Sequence, residues 1–365
     1  MDIQILDPTQ YKGWDDLILT NPDYSFFHSL AWARTLFESY HYTPQYFTII
    51  HDGRVLALMP IMEVNSFLTG RRGISLPFTD YCKPIYNGNI GFVPLFNQVI
   101  EFGRKHGWKY IELRVNHNLI PNSFSPNSNG LSLTHNSQPE TCSIIPSLTY
   151  LGHVLDLSRG EGQVFSSFRD STKRNTQKAM RENVEVEIDH SLESVKEFYR
   201  LHCMTRREHG LPPQPFHFFK KIYDHVISKN LGMVVLASLG QEKVAGAVYF
   251  HFGEKAVYKY GASDKKFQHL RANNLVMWKA IQWYSQNGYK SLCFGRTELE
   301  NQGLIQFKSG WGTLEQQINY YRYDLKKGSF VPGSSKVTGF HNKIFRNLPI
   351  PILNKIGALL YKHIG

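Results

Sequence analysis

The chain of 365 residues is poor in cysteine and has no long apolar run. Its four cysteines lie far apart, with neither a CxxC pair nor a Cys/His ligand spacing, which argues against a zinc site and a disulfide framework. There is no HExxH motif among the 16 histidines, so we expect no metal site. No stretch approaches the ~20 apolar residues that span a bilayer, and the N-terminus lacks the basic and apolar regions of a secretory signal. These absences predict a cytoplasmic protein with reduced thiols.

Two common nucleotide-binding patterns are also missing, since neither GxGxxG nor GxxxxGK[ST] follows a predicted strand. What is present is ample apolar material: 42% of the residues are apolar and 14% are aromatic. A chain of this length exceeds what one core usually organises, so we expect two globular domains. The net charge of +11 favours an anionic partner, whether nucleic acid, a phosphorylated precursor or an anionic membrane.

Two hairpin patterns occur about 190 residues apart, one beginning at Tyr46 and the other at Val234. Asp52-Gly53 and Gly240-Gln241 supply the turns, and β-branched and aromatic residues flank both. Each hairpin is followed later by a helical pattern that ends at a glycine. A duplicated unit accounts for this order, although two unrelated α/β domains remain an alternative.

The helices of the two units stop at Gly107 and Gly288, and each runs into a short strand that carries an arginine, Arg114 or Arg296. Hairpins combined with helices and further strands predict an α/β fold with mixed sheets, of the α+β kind. We predict an N-terminal domain over residues 1–157, a C-terminal domain over 158–330, and a basic tail with an amphipathic helix over 331–365.

The segment 294–312 is the leading candidate for an active site. Arg296, Lys308 and Trp311 lie among glycines that let the backbone turn tightly or approach a ligand closely. We expect the ammonium and the guanidinium to meet in one turn region. The alternative is a glycine-broken loop that caps a sheet and leaves Lys308 in solvent.

A second cationic group is predicted on a helix that begins near Arg169. Arg174, Lys178 and Arg181 fall at i, i+4 and i+7 and share one face, which would attract the phosphates of a nucleic acid or a pyrophosphate. A solvated charged face explains the same spacing.

Polar groups also cluster where the helix containing Arg206, Arg207 and His209 stops before Gly210. Either arginine offers two parallel donors to a carboxylate or phosphate of a substrate. The alternative is that these cations complement the helix dipole at its C-terminal end.

A third group surrounds the predicted N-terminus of a helix near Asn273, where Arg271 completes a candidate anion site for a donor. On the preceding strand, Tyr260 either lines a substrate cleft or covers the sheet.

The end of the chain is basic. Residues 321–365 hold eight lysine or arginine residues and one aspartate. The pattern PIPILNKIGALLYKHI alternates apolar residues with Lys355 and Lys362, which suits an anionic membrane interface or a helix packed on its own domain.

The motifs TRREHGLPPQP, YGASD, FGRTELENQGL and FKSGWG, together with the duplicated unit, resemble the Fem family of peptidoglycan interpeptide-bridge aminoacyltransferases. That family is part of the GNAT acyltransferase superfamily, and the resemblance covers about residues 26–323. It implies two tandem GNAT-like domains that form a substrate cleft. It also implies that Lys308 assists the transferred carbonyl with Phe307 beside it, while Arg296 and Trp311 belong to the same motif.

The sequence departs from this family in two places. There is no room in the second domain for the long antiparallel helical arm of the bridge-forming members. The turn that corresponds to a GNAT coenzyme A loop reads QHLRAN and lacks the small residues of the Q/R-x-x-G-x-G/A pattern. The acyl donor, aminoacyl-tRNA or acyl-CoA, therefore stays open, and no permanently bound cofactor is expected.

The sequence thus predicts an acyltransferase or aminoacyltransferase that acts on an amine of a cell-envelope precursor, of peptidoglycan or exopolysaccharide, at the inner face of the cytoplasmic membrane. One alternative is a non-catalytic module that binds RNA or an anionic glycan through the stripe at Arg174. The other is a membrane-associated assembly factor that depends on the tail.

Overall fold

The structure is a computed structural model that describes residues 2–86, 91–116, 144–333 and 340–364. Most of the Asn-, Ser- and Pro-rich segment that the sequence places between the two halves lies outside these ranges.

Within the described residues, fourteen strands join one mixed sheet. They are β1 (Gln4–Leu6), β2 (Thr43–His51), β3 (Arg54–Ser66), β4 (Gly70–Ile74), β5 (Ile85–Tyr86), β6 (Tyr110–Asn116), β7 (Leu148–Asp156), β8 (Glu185–Asp189), β9 (Gly232–Leu239), β10 (Glu242–Phe252), β11 (Lys255–Ser263), β12 (Ser291–Glu298), β13 (Leu314–Asp324) and β14 (Ser329–Val331).

The same ranges contain eleven α-helices and three short 3₁₀ segments. The helices are α1 (Trp14–Leu19), α2 (Leu30–Tyr40), α3 (Phe92–Lys105), α4 (Glu161–Ser166), α5 (Asp170–Arg181), α6 (Leu192–Glu208), α7 (Phe216–His225), α8 (Ala272–Gln286), α9 (Gln302–Ser309), α10 (Phe340–Asn347) and α11 (Ile350–Ile364).

The main path of the sheet runs β1-β2-β3-β4-β6-β13-β7-β12-β11-β10-β9-β8, with β5 beside β3 and β14 beside β13. Antiparallel pairs dominate, and the pairs β4–β6 and β11–β12 are parallel. The predicted mixed α/β fold class is confirmed.

Both predicted hairpins form as the turn residues require. Asp52 and Gly53 have positive φ angles of 48° and 68° between β2 and β3, and Gly240 has a φ of 57° between β9 and β10. Left-handed residues at these turn positions match the twist of the strands that they connect.

The helix-to-strand connections also match between the halves. Gly107 and Gly288 adopt φ angles of 68° and 79° after α3 and α8. The next amide, that of Trp108 or Tyr289, donates back into the preceding helix. Each connection therefore ends its helix in a left-handed glycine and delivers the chain to a strand of a parallel pair.

The parallel pair in the second half opens partway along its length. Among the described residues, β11 pairs with β12 only over Lys255–Val257 and Ser291–Cys293, although both strands continue. On its other side, β12 pairs with β7 both before and beyond this point, with an irregular register between Cys293 and Arg296. The split leaves space for side chains between two central strands.

The two halves share strands. The late strand β13 lies between β6 and β7, so Tyr320 is opposite Arg114 on one side and Leu148 on the other. The early strand β7 pairs with β12 of the second half. The sheet therefore continues across the domain boundary predicted at residue 157.

An apolar cluster holds the halves together below the sheet. Phe26 and Trp32 of the first half pack on Phe250 of β10 with ring centroids 4.6 and 5.8 Å apart. Such aromatic burial fixes the relative position of the halves.

The basic tail packs on the body of the protein, which agrees with one of its two predicted placements. Tyr42 donates to the backbone carbonyl of Tyr361 on α11 at 3.0 Å, and Arg206 of α6 donates to its hydroxyl at 2.9 Å. A Cβ on Gly357 would lie 2.0 Å from the carbonyl of Pro213, so α11 approaches the backbone closely. No helix in the described ranges is long and apolar enough to cross a membrane.

Candidate active site

Lys308 lies in the last turn of helix α9, where the sequence led us to expect a turn region. Asn301 caps this helix by accepting a hydrogen bond from the amide of Leu304 at 3.1 Å. The residues between Gly303 and Gly310 are compatible with a helix, which explains the difference. Lys308 is only 3% exposed.

The ammonium of Lys308 meets the backbone of β12. Its Nζ donates to the carbonyls of Gly295 at 3.3 Å and Arg296 at 3.0 Å. Gly295 has a φ of 69° at the irregularity in β12. A Cβ at this glycine would lie 3.0 to 3.1 Å from the carboxylate of Asp80, so glycine permits both the strand geometry and a close approach of the first half.

Asp80 brings a negative charge to this point. Its carboxylate forms an ion pair with Lys259 of β11 at 3.1 Å, and both side chains are largely buried. The other carboxylate oxygen accepts from the backbone amide of Arg296 at 3.4 Å. We refer to Asp80, Lys259, Arg296 and Lys308 as the charged cluster.

Burial and charge oppose each other in the charged cluster. Burial by itself would raise the pKa of Asp80, but the cations Lys259, Arg296 and Lys308 outweigh it and hold that pKa below its ordinary value. Burial lowers the pKa of Lys308 to about 8, against the opposing effect of Asp80. Burial likewise lowers the pKa of Lys259. Lys308 therefore loses its proton more readily than an exposed lysine does.

Arg296 is fixed by two aromatic rings. Its guanidinium carbon lies 4.3 Å from the ring centroid of Tyr150 and 5.0 Å from that of Tyr320. It also donates to the hydroxyl of Tyr320, and that hydroxyl donates to the backbone carbonyl of Asp80 at 2.8 Å. The arginine thus helps to hold the segment that carries Asp80.

Trp311 does not face open space. It is fully buried and packs on Phe168 and Phe307, with centroids 5.0 and 6.0 Å apart. Trp311, which we placed in the candidate active site, therefore packs in the core next to α9.

Two cavities reach the surroundings of Lys308. The larger one, of about 190 Å³, lies between the halves and is lined by Tyr81, Lys83 and Cys293 among others. The smaller one, of about 130 Å³, lies at the start of α8 and is lined by Phe307, Arg271 and Asn273 among others. Arg271 and Asn273, at the predicted anion site for the donor, therefore line the same cavity as Phe307.

Other predicted site residues lie elsewhere. Arg206 donates to Tyr361 and to the carbonyl of Pro212, so it supports α11. Arg207 and His209 are at the same end of α6. Tyr260 packs on His202 and Phe219 in the core between β11 and the helices. The contacts of Tyr260 agree with its predicted alternative of packing on the sheet, and the substrate contacts of Arg206, Arg207 and His209 stay predictions.

The cationic helix is confirmed as α5. It buries Thr172, Thr176 and Ala179, while Arg174 is exposed and Lys178 is half-buried. The amide of Arg169 at its start donates to the carbonyl of Gly310 at 2.9 Å. Helix α5 therefore begins beside the end of α9 that carries Lys308.

The sequence reasoning missed Asp80, Lys259 and Tyr320. Lys259 could have been found as a charge inside an otherwise apolar strand, since such a residue needs a partner. Asp80 carries no local pattern, because its role depends on the approach of the other half. Tyr320 lies on β13, a strand that the sequence analysis did not predict.

Comparisons with known proteins define the class of the fold. Residues 166–309 match the family described as an acetyltransferase (GNAT) domain. Of the solved structures, FemX superposes with a TM-score of 0.63 over 90% of this chain and 98% of its own, at 14% identity. A tandem GNAT protein from the clavulanic acid biosynthesis pathway gives 0.51 over 92% and 99%, at 10% identity. The second half therefore contains a GNAT domain, and the whole chain has a GNAT-like fold.

A curated relative matches a short part of the chain. The lipid II:glycine glycyltransferase of Staphylococcus epidermidis is 29% identical over 91 residues, which cover 23% of this chain and 22% of that enzyme. The match thus spans about a fifth of the relative's length. With the FemX fold and the GNAT match, this similarity agrees with the resemblance found in the sequence: the chain has a GNAT-like fold and is similar in part of its length to a Fem-type glycyltransferase.

Proposed function

We propose that the protein transfers an acyl or aminoacyl group from an activated carrier to an amine of a cell-envelope precursor. The observation that carries the proposal is the buried ammonium of Lys308 on the carbonyls of β12, next to the split between β11 and β12. The GNAT match and the similarity to a lipid II:glycine glycyltransferase support this reaction class and a peptidoglycan precursor as acceptor.

Lys308 is proposed to stabilise the charge that develops during transfer. An amine that attacks an ester or thioester carbonyl forms a C–N bond and places negative charge on the carbonyl oxygen. A lysine has three donors, and two of those on Lys308 go to the carbonyls of Gly295 and Arg296. The third is proposed to be the donor to this oxygen. When the C–O or C–S bond breaks, the leaving atom takes the proton that the amine loses, so no covalent enzyme intermediate is required.

The charged cluster is proposed to keep this donor in place. Asp80 and Lys259 balance each other at 3.1 Å, and Arg296 fixes the backbone on which Lys308 rests. Phe307 is proposed to contact the transferred group from the adjoining cavity, since it lines that cavity and precedes Lys308 in α9.

The donor is proposed to approach from the side of α8. Arg271 and Asn273 line the cavity at the start of this helix, where phosphates are favoured. Arg174 and Lys178 on α5 continue the positive charge outward and suit the phosphates of a transfer RNA. Contact with an anionic membrane, where a lipid-linked precursor would be met, completes the proposal.

The test is a transfer assay with labelled aminoacyl-tRNA or acyl-CoA as donor and a lipid-linked muropeptide amine as acceptor. Lys308→Met should lower kcat by about 100- to 1,000-fold with its circular dichroism unchanged. Lys279→Met is the matched control, because Lys279 is an exposed lysine on the neighbouring helix α8. Full activity of Lys308→Met, or no turnover by the wild type with any of these donors, would contradict the proposal.

A further inference from the structure

An exposed apolar pair lies at the connection between β3 and β4. Phe67 is 83% exposed and Leu68 is 59% exposed, which is unusual for adjacent large apolar side chains. Hydrogen bonds inside the connection hold its backbone in place. The buried hydroxyl of Ser66 accepts from the amides of Leu68 at 3.2 Å and Thr69 at 3.1 Å. The two apolar side chains are therefore presented to solvent by a fixed turn.

The C-terminal end of α11 is fastened to this turn. The carbonyl of His363 accepts from Arg72 at 2.7 Å and from Thr69 at 3.2 Å, and its ring bonds to the Ser66 hydroxyl at 2.9 Å. The ring of Phe67 packs edge-on against that of His363, with centroids 4.6 Å apart. The turn and the helix end form one continuous surface.

The outward side of α11 continues that surface. Ile352, Lys355, Leu359 and Lys362 follow at i, i+3, i+7 and i+10 and are exposed, with Leu359 at 65%. The opposite side of the helix buries Leu353 and Gly357 against the protein. Alternating apolar and cationic residues on a solvent-facing stripe are typical of a helix that lies in a membrane interface.

Charge identifies the partner. Residues 325–365 contain seven lysine or arginine residues and no aspartate or glutamate. Glu208, the last residue of α6, is an acidic residue on a helix that the tail helix α10 contacts. A second copy of the chain would set Lys355 and Lys362 against the same cations across a two-fold axis, which is unfavourable. An anionic phospholipid surface accepts both the lysines and the apolar side chains.

We propose that Phe67, Leu68 and the exposed stripe of α11 form a membrane-docking surface for an anionic phospholipid bilayer. This deepens the membrane contact in the proposed function by naming its residues. It brings the protein to the surface on which a lipid-linked acceptor is carried, with Phe67 and Leu68 entering the interface and Lys355 and Lys362 meeting the headgroups.

Cosedimentation of the full chain with vesicles tests the surface. The vesicles are phosphatidylcholine alone or mixed equally with phosphatidylglycerol. We expect binding only to the anionic vesicles, with a decrease at high salt. Phe67→Ser with Leu68→Ser, and separately Lys355→Gln with Lys362→Gln, should each weaken binding by about tenfold or more.

The matched control is Phe37→Ser with Leu19→Ser, which removes the same two residue types at 43% and 40% exposure on α2 and α1. Control binding equal to that of the wild type is expected. The proposed surface would be wrong if the Phe67/Leu68 variant bound vesicles as well as the wild type does. It would also be wrong if the wild type formed a dimer without vesicles and this variant abolished the dimer. Vesicle binding without transfer activity would count against the proposed reaction only, whereas transfer between soluble substrates without vesicle binding would count against the surface only.

Discussion

Arg114 and Arg296, the matching residues of the two halves, hold their guanidinium carbons 5.1 and 5.0 Å from the centroid of one ring, that of Tyr320. The ring belongs to β13, the strand that passes between β6 and β7. The matching arginines of the two repeated units therefore contact the same strand, which is the one that joins the halves. Of these two arginines, Arg296 is the one next to Lys308, since its backbone carbonyl accepts a hydrogen bond from the ammonium of Lys308.

This asymmetry predicts different effects of the same substitution. Arg296→Lys keeps the charge but removes the planar stacking on Tyr150 and Tyr320, so transfer should fall by more than about tenfold. Arg114→Lys is the control, since Arg114 also pairs with Glu112 at 2.8 Å and is farther along the sheet from the carbonyls that hold Lys308. We expect it to reduce activity much less. Equal losses in kcat/KM for the two variants would contradict a special role for Arg296.

Removal of the Asp80 charge should destabilise the fold. Asp80→Asn leaves Lys259 buried without its counter-ion, which predicts a loss of about 3 kcal/mol in the free energy of unfolding, measured with urea at pH 7. Since the pKa of Asp80 is depressed in the folded state, its contribution is present above the ordinary pKa of about 4 and is lost as the pH falls further.

A double variant separates the ion pair from a general effect at this position. Asp80→Asn with Lys259→Met should be more stable than Asp80→Asn alone, because it removes the unpaired buried cation. Additive losses from the two single substitutions would mean that the pair does not couple the halves.

The repeated hairpins were predictable because their turns carry local chemistry. Asp52-Gly53 and Gly240 adopt the left-handed conformations that such residues favour, and Gly107 and Gly288 end their helices as their positions indicate. The position of β13 was not predictable in this way. Its neighbours Arg114 and Leu148 are more than 170 residues away in sequence, and no local pattern specifies such a pairing.

In the candidate site, too, the sequence predicts what a local motif carries and does not predict what the assembled fold decides. Lys308 and Phe307 were identified because a motif carries them, and the structure adds that the lysine is buried on the carbonyls of β12. Trp311 was placed in the candidate site because it belongs to that motif, and its ring fills the core on Phe168. Burial is a property of the assembled fold, and a short motif does not encode it.

The lowered pKa of Lys308 predicts opposite pH trends for activity and stability. Burial lowers this pKa to about 8, so the cation that the transfer requires is lost above that pH and kcat should fall. Between pH 8 and the ordinary lysine pKa of about 10.4, the unfolded chain binds more protons than the folded one, so this group's contribution to stability rises with pH.

The substitution Lys308→Arg tests whether Lys308 causes the decrease in kcat above pH 8. Lys308→Arg keeps its charge throughout this range, so any residual activity should no longer fall near pH 8. Persistence of the same decrease in Lys308→Arg would assign it to another group. The measurement is the pH dependence of kcat, with urea unfolding at the same pH values.

The stripe on α5 predicts a way to identify the donor. Arg174→Ala with Lys178→Ala removes two cations from an exposed helix face, so the slope of log affinity against log salt for transfer RNA should decrease by about 1.5. Binding of acyl-CoA, measured by calorimetry, should change little, because the cavity at Arg271 and Asn273 stays intact. Lys12→Ala with Lys105→Ala removes the same net charge from exposed positions in the first half and should leave the slope unchanged. An equal change in both double variants would mean that overall charge, and not the α5 stripe, attracts the RNA.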